Sequence, residues 1–316
     1  MGVSEGARAR GGGEVRTYSC FNFRLRTSIP LGELIPAEAD DDPRPVVEVR
    51  LGAVPAELEG ASEPRHGLQV AGELATFTVP KVGRYLVDGG REIVVEPFPG
   101  GSERDLRLFL LGSALGILCH QRGLLPLHAN AIVVDDGAVA FAGHSGSGKS
   151  TLAAHFQRAG YEILCDDVCV ISFEGGTPSA WPGLPRLKLW GDAVAAFGHD
   201  PAGLDQAIEG MDKYHVPLES AGLARPIPFR RLYLLSRSAE AEEGELVRLT
   251  GVAAMEAIMA QTYRGAYLGP MGLAGRHFRQ CATLASSAAV FAAPRTWGYD
   301  VLEREAKRLE EHFSAG

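Results

Sequence analysis

The chain has 316 residues, 46% hydrophobic and 22% charged, which suits a globular protein of two domains or of one domain with an extension. With 39 acidic against 31 basic residues the formal net charge is -8, and a general nucleic-acid binder, which needs surplus Lys and Arg, is excluded on that balance. Cys20, Cys119, Cys165, Cys169 and Cys281 are scattered, odd in number and form no CxxC pair, so reduced thiols are expected rather than a disulfide framework or zinc site. The first dozen residues lack the apolar core of a signal peptide, and the most apolar stretch, Leu106 to Leu118, falls short of the ~20 residues of a membrane span. A soluble cytoplasmic protein with no membrane partner is the expectation.

In chain order, residues 1–14 are Gly- and Arg-rich and are expected to be disordered. Phe21, Phe23 and Leu25 alternate with polar residues as on a strand with one wet face, and Val47, Val49 and Leu51 repeat the pattern. The acidic stretch 37–45 between them reads as a loop. Tyr85 to Val87 turns through Asp88-Gly89-Gly90 into Ile93 to Val95, a hairpin signal. Residues 15–101 thus read as a small β-rich unit, and 102–316 as the second domain. Ser102, with Asp105 three residues on, marks a helix start, and Leu106, Leu110, Ala114, Ile117 and Leu118 form its core-facing stripe.

An apolar strand over 131–134 turns at Asp135-Asp136-Gly137 into a second over 138–142. This runs directly into Gly143-His144-Ser145-Gly146-Ser147-Gly148-Lys149-Ser150, followed by Thr151. Helix over 149–158 ends at Gly160, and Ile163 to Cys165 reads as the next buried strand. Further on, 231–235 reads as strand and 250–261 as helix; the last helix carries Leu302, Ala306, Leu309 and Phe313 at helical spacing.

Strand, glycine loop, helix is the context of a phosphate-binding P-loop. Its glycines let backbone N–H groups close around phosphate oxygens, with the positive end of the following helix aimed at them. Lys149 would reach the β- and γ-phosphates of ATP and Ser150 would ligate Mg²⁺. Asp166-Asp167 follow the next strand, where a P-loop enzyme needs a carboxylate for the metal, although paired acids there also suit a solvated turn. His128, just before the strand that leads to the loop, reads on its own as a bystander as readily as a catalytic group. Arg186 with Lys188, and Lys213, are candidates for binding phosphate or a peptide carboxylate, with solvated surface charge as the competing reading. Asp192 is a further candidate metal ligand.

Three segments, His128 in LPLHANAIVV, the loop GHSGSGKST and LCDDV, stand in the order and spacing of the core of the HPr kinase/phosphorylase family, whose kinase domain is related to phosphoenolpyruvate carboxykinase. The resemblance covers residues 106–172 and implies an α/β fold with a P-loop kinase domain of that type behind the β-rich unit. It implies that Asp166 takes the proton from a substrate serine, that His128 assists it, and that Asp167 belongs with Ser150 at the metal; the division between the two aspartates is open to reversal. The family's segment downstream of the double aspartate is replaced here by PGLPRLKLWGDA, and the N-terminal part differs from the regulatory domain, which points away from HPr as the substrate. In size, in the β-rich N-terminal part and in the RLKLW segment, the chain is most similar to the HPr-kinase-like kinases of lasso peptide biosynthesis. Those phosphorylate the C-terminal serine of a precursor peptide, which implies a peptide or small-protein partner here, with the β-rich unit a place to bind it. A homo-oligomer is left open. The alternatives are a kinase of a small hydroxyl metabolite and a non-catalytic nucleotide sensor, the latter needing neither His128 nor Asp166.

Overall fold

The computed structural model describes residues 14–37, 42–61, 63–207, 210–218, 225–237, 245–296 and 298–315. The predicted disorder of the N-terminus and part of the acidic loop after Ala37 lie outside the described residues.

Seven strands build the first sheet: β1 (Arg16–Cys20), β2 (Phe23–Thr27), β3 (Val46–Leu51), β4 (Leu68–Ala71), β5 (Leu74–Val79), β6 (Gly83–Asp88) and β7 (Glu92–Pro97), in the order β1-β2-β3-β7-β6-β5-β4. The single strand expected through Phe21 is instead a hairpin. Phe21 adopts a left-handed φ of 50° in the turn between β1 and β2, and its ring packs edge-on against Phe23 at 6.0 Å. Alternation survives the turn because both rings reach the same core, so periodicity alone could not reveal it. Leu51, expected on the buried face, is exposed at the end of β3. The segment after Leu34 bonds along the outer side of β1 (Ser19 N–H to Ile35 carbonyl, 3.0 Å; Ala37 N–H to Thr17 carbonyl, 2.9 Å) and covers that edge.

A helical rod follows as α1 (Glu103–Phe109), a π-helical turn over Leu110–Ala114 and α2 (Leu115–Gln121). Ser102 caps its start by accepting from the Asp105 N–H. Leu106, Leu110, Ala114, Ile117 and Leu118 are buried in one cluster with Phe23, Leu25, Tyr85 and Ile93 of the sheet and with Val168, Val170 and Trp181 beyond it. One core therefore spans the sheet, the rod and the strands behind the double aspartate.

The second sheet comprises β8 (Leu125–Leu127), β9 (Ala129–Val134), β10 (Gly137–Ala142), β11 (Glu162–Cys165), β12 (Cys169–Ser172) and β13 (Ser179–Trp181), completed by later strands. A smaller sheet joins β14 (Arg186–Trp190), β15 (Asp205–Gln206) and β16 (Lys213–Pro217), and the chain returns through β17 (Ile227–Arg237), β18 (Val247–Leu249) and β19 (Ala289–Arg295). The order of the large sheet is β11-β9-β10-β17-β13-β12-β8, with β19 against β17 and β18 against β19. β10, β17 and β19 are parallel, while β9 is antiparallel to both β10 and β11, so β10, β11, β17 and β19 all end on one side. One face is covered by α5 (Gly251–Ala260) and α6 (Ala274–Ser287), the other by α3 (Lys149–Arg158) and α7 (Leu302–Ser314), while the short α4 (Gly191–Ala196) packs beside β14. This is a mixed α/β fold, and all five cysteines are buried free thiols. No helix among the described residues is long and apolar enough to cross a membrane.

Candidate active site

β10 is buried along its whole length and delivers the glycine loop at the shared carboxyl edge. Gly143 has no room for a side chain, since a Cβ there would meet the Leu235 carbonyl oxygen at 2.5 Å. Gly148, left-handed at φ 70°, starts α3, and a Cβ on it would strike the Arg295 guanidinium. The Lys149 ammonium, buried, donates to the carbonyls of Gly143 (2.9 Å) and His144 (3.2 Å). Ser145, Gly146, Ser147, Gly148, Lys149, Ser150 and Thr151 line a cavity of about 330 Å³, whereas Gly143 and His144 do not.

The two aspartates have different surroundings. Asp166 is buried and accepts from the Ser150 hydroxyl (3.0 Å) and the Lys188 backbone N–H (2.6 Å). Burial, then repulsion from Asp167, raises its carboxyl to about 6 against the pull of Lys188 and Ser150. Asp167, left-handed at φ 70°, faces the cleft, where its carboxylate pairs with Lys188 Nζ at 2.6 Å and lies 3.5 Å from His128 Nδ1. Burial alone would raise it, but Lys188, then His128 and Lys213, hold it well below the usual carboxylate range. His128 Nδ1 lies 2.9 Å from the Asp167 carbonyl, which can only accept, so this nitrogen carries the proton and Nε2 keeps its lone pair. Burial, then the Lys149 charge, lowers the His128 pKa and favours the neutral ring.

These contacts reverse the pairing expected from the sequence: His128 stands against Asp167, and Ser150 against Asp166. The reason is local. The left-handed turn at Asp167 swings its carboxylate into the cleft, while Asp166 stays buried at the end of β11. Ser150 Oγ and Asp166 Oδ1 are therefore the hard oxygen pair that fits Mg²⁺. Among the described residues no group of three His, Cys, Asp or Glu side chains could by itself hold a metal.

A second cavity of about 280 Å³ meets the first at Asp167, Lys188 and Lys213. Its walls include Phe109, Leu111 and Gly112 of the rod, Asp166, and the cations Arg186 and Arg264. Arg186 is only 7% exposed, so it is no solvated surface charge. It meets His215 Nδ1 at 3.3 Å and lies 4.0 Å from Glu33 of the N-terminal sheet segment, which also accepts from Arg107 at 2.8 Å. Burial, then Arg186, pushes His215 down to about 3, so it stays neutral. Asp192 borders the first cavity; with burial, its carboxylate holds the Tyr299 hydroxyl up at about 12.

Sequence reasoning missed Arg295, the last residue of β19 and a wall of the first cavity. Its guanidinium donates to the Ser147 carbonyl at 2.8 Å, and buried Glu305 of α7 opposes the fall that burial imposes, to about 10. An arginine closing an apolar strand carries no local signal; only the parallel pairing of β19 with β17 brings it to the loop. Asn130, Trp190 and Tyr299 were missed likewise.

No family model matches the chain, and no curated protein matches it. Among solved structures it is similar to the HPr(Ser) kinase/phosphatase from Coxiella burnetii, at 15% identity and a TM-score of 0.33, over 60% of this chain and 91% of that one.

Proposed function

We propose that the protein is a Mg-ATP-dependent kinase that transfers the terminal phosphate to a hydroxyl, with a serine of a peptide or small protein as acceptor. The observation that carries this reading is the meeting of two cavities at Asp167, Lys188 and Lys213, one walled by the phosphate-binding loop and the other by cations and apolar side chains. A bound cation would sit with Ser150 and Asp166 and neutralise charge on the transferring group. The loop N–H groups and Lys149 hold the phosphates, while Lys188 and Lys213 offset charge at the junction. The Asp167 carboxylate orients the acceptor hydroxyl and receives its proton as the new O–P bond forms and the bond to the leaving diphosphate breaks. Its low basicity is tolerable because this chemistry rests on alignment and electrostatics. His128 fixes Asp167 through the backbone carbonyl.

The C-terminal serine of a lasso precursor peptide is the acceptor that the sequence resemblance implies, and the buried Arg186 suits a carboxylate beside the hydroxyl. With β1 covered, β4 is the edge of the first sheet suited to take an added peptide strand. A small hydroxyl metabolite is the second reading, favoured by the modest second cavity. The deciding experiment incubates a serine-terminated peptide with protein and Mg-ATP and reads its mass, with Asp167→Asn alongside and free serine as competitor. One added phosphate on the terminal serine, lost with the variant, supports the proposal. Efficient competition by free serine moves the assignment to a metabolite kinase, and slow ATP hydrolysis with every acceptor sinks both.

A further inference from the structure

Asn130 has no role in the chemistry above, yet its position is unusual. It is the second residue of β9, among Ala129, Ala131, Ile132 and Val133, where a carboxamide is a poor strand former. It is 0% exposed, and neither Oδ1 nor Nδ2 has a hydrogen-bond partner among the described residues. Side chains alternate along a strand, and β9 shows which side Asn130 takes. Ala129 and Ala131 lie in the cluster under α5 and α6, whereas Ile132 lies in the cluster under α3 and α7. Asn130 therefore points to the α3 side, in register with Phe141 of β10 and one alternation from His128. There it lines the nucleotide-side cavity together with His128, Lys149 and Asp167.

A buried amide with both ends unpaired costs free energy that a valine would avoid, and such groups persist where a ligand completes them. That ligand must accept at Nδ2 and donate at Oδ1. A hydrated metal–phosphate group does both: phosphate oxygens accept, and water held on the cation donates. The neighbours place the contact at one end of the nucleotide, since Asp167, 3.5 Å from His128, stands at the junction with the second cavity. We propose that Asn130 is a binding residue for the terminal phosphate of the nucleotide, reading that group through both ends of its carboxamide. The inference rests on the kinase reading above and adds to it a residue that distinguishes triphosphate from diphosphate.

The test is calorimetric titration of the full chain and of Asn130→Val with Mg-ATP and with Mg-ADP, beside thermal unfolding without ligand. We expect Mg-ATP to bind about tenfold or more weakly to the variant, as for loss of a hydrogen bond to a charged group, with Mg-ADP within about twofold. The ligand-free variant should melt about 2 °C or more higher, because an unpaired amide is gone. Equal affinity of a folded variant for Mg-ATP, or parallel loss for both nucleotides, would each overturn the proposal. Should the valine variant not fold, Asn130→Ser carries the same comparison of the two nucleotides. Failure of the unsubstituted protein to bind Mg-ATP would remove the kinase reading as well, whereas normal phosphate transfer by Asn130→Val at unchanged Mg-ATP affinity removes this inference alone.

Discussion

Replacing Asp166 by Asn should make the protein more stable at neutral pH while impairing its chemistry. Asp166 is a carboxylate that the fold holds at about 6, from an ordinary 3.8. Its folded form binds a proton more tightly than the unfolded chain does, so stability falls as pH rises from below 4 to above 6. At about 1.4 kcal/mol per pH unit, that fall amounts to about 3 kcal/mol. Asparagine keeps the shape and can keep both partners, with Oδ1 toward the Lys188 N–H and Nδ2 toward the Ser150 oxygen. The stability of Asp166→Asn relative to the parent should therefore climb by about 3 kcal/mol between pH 3 and pH 8. Urea unfolding at both values measures this, and the difference reports position 166 together with its coupling to Asp167. A pH-independent difference, or one that falls with rising pH, would refute the burial and repulsion argued for the pair. Transfer activity should drop in the same variant, since the cation loses its carboxylate.

Lys188→Met should destabilise the protein by about 1–3 kcal/mol at pH 7 by leaving Asp167 without its ion pair. Asp167 is depressed in the fold, so its stabilisation is full above the ordinary carboxylate range and is lost as the pH falls through its lower folded value; the cost should be smaller at pH 3 than at pH 7, and denaturation at both checks the sign. Gly148→Ala should cost about 1–3 kcal/mol, from a left-handed residue and the collision with Arg295, and Arg295→Ala in the same chain should recover part of it in a double-mutant cycle. Glu33→Ala should raise the acceptor KM several-fold and leave the Mg-ATP dissociation constant unchanged, because Glu33 reaches the second cavity through Arg186; a change confined to nucleotide affinity would contradict that path.

The glycine loop, its strand and its helix were legible because each is written in consecutive residues: an apolar run over 138–142, glycines where the backbone turns, and helix formers from Lys149. The double aspartate was legible as a pair at a strand end, but the split between its members was not. That split depends on one backbone dihedral, the left-handed φ of Asp167, which nothing in LCDDV announces. The hairpin at Phe21 escaped for a similar reason, since a bulky aromatic takes the left-handed position where glycine or asparagine would have signalled a turn. Arg295, Asn130 and Glu33 reach the site through β19, β9 and the first sheet, from places far apart in the chain, and no local window contains that information.

The shared core under the first sheet makes this chain a poor subject for cut-and-paste evolution. Leu106, Leu110, Ala114, Ile117 and Leu118 have their apolar stripe seated on β-strand side chains, and baring the four large ones would forfeit about 6–12 kcal/mol, as much as a whole domain's stability. The rod also walls the second cavity, so it cannot be lost quietly. Trimming the sheet should therefore yield a collapsed or insoluble remainder rather than a leaner enzyme blind to its substrate. Relatives that trade one acceptor for another are then expected to do so by residue changes around Arg186 and the sheet's free edge, with the two halves inherited together as one heirloom.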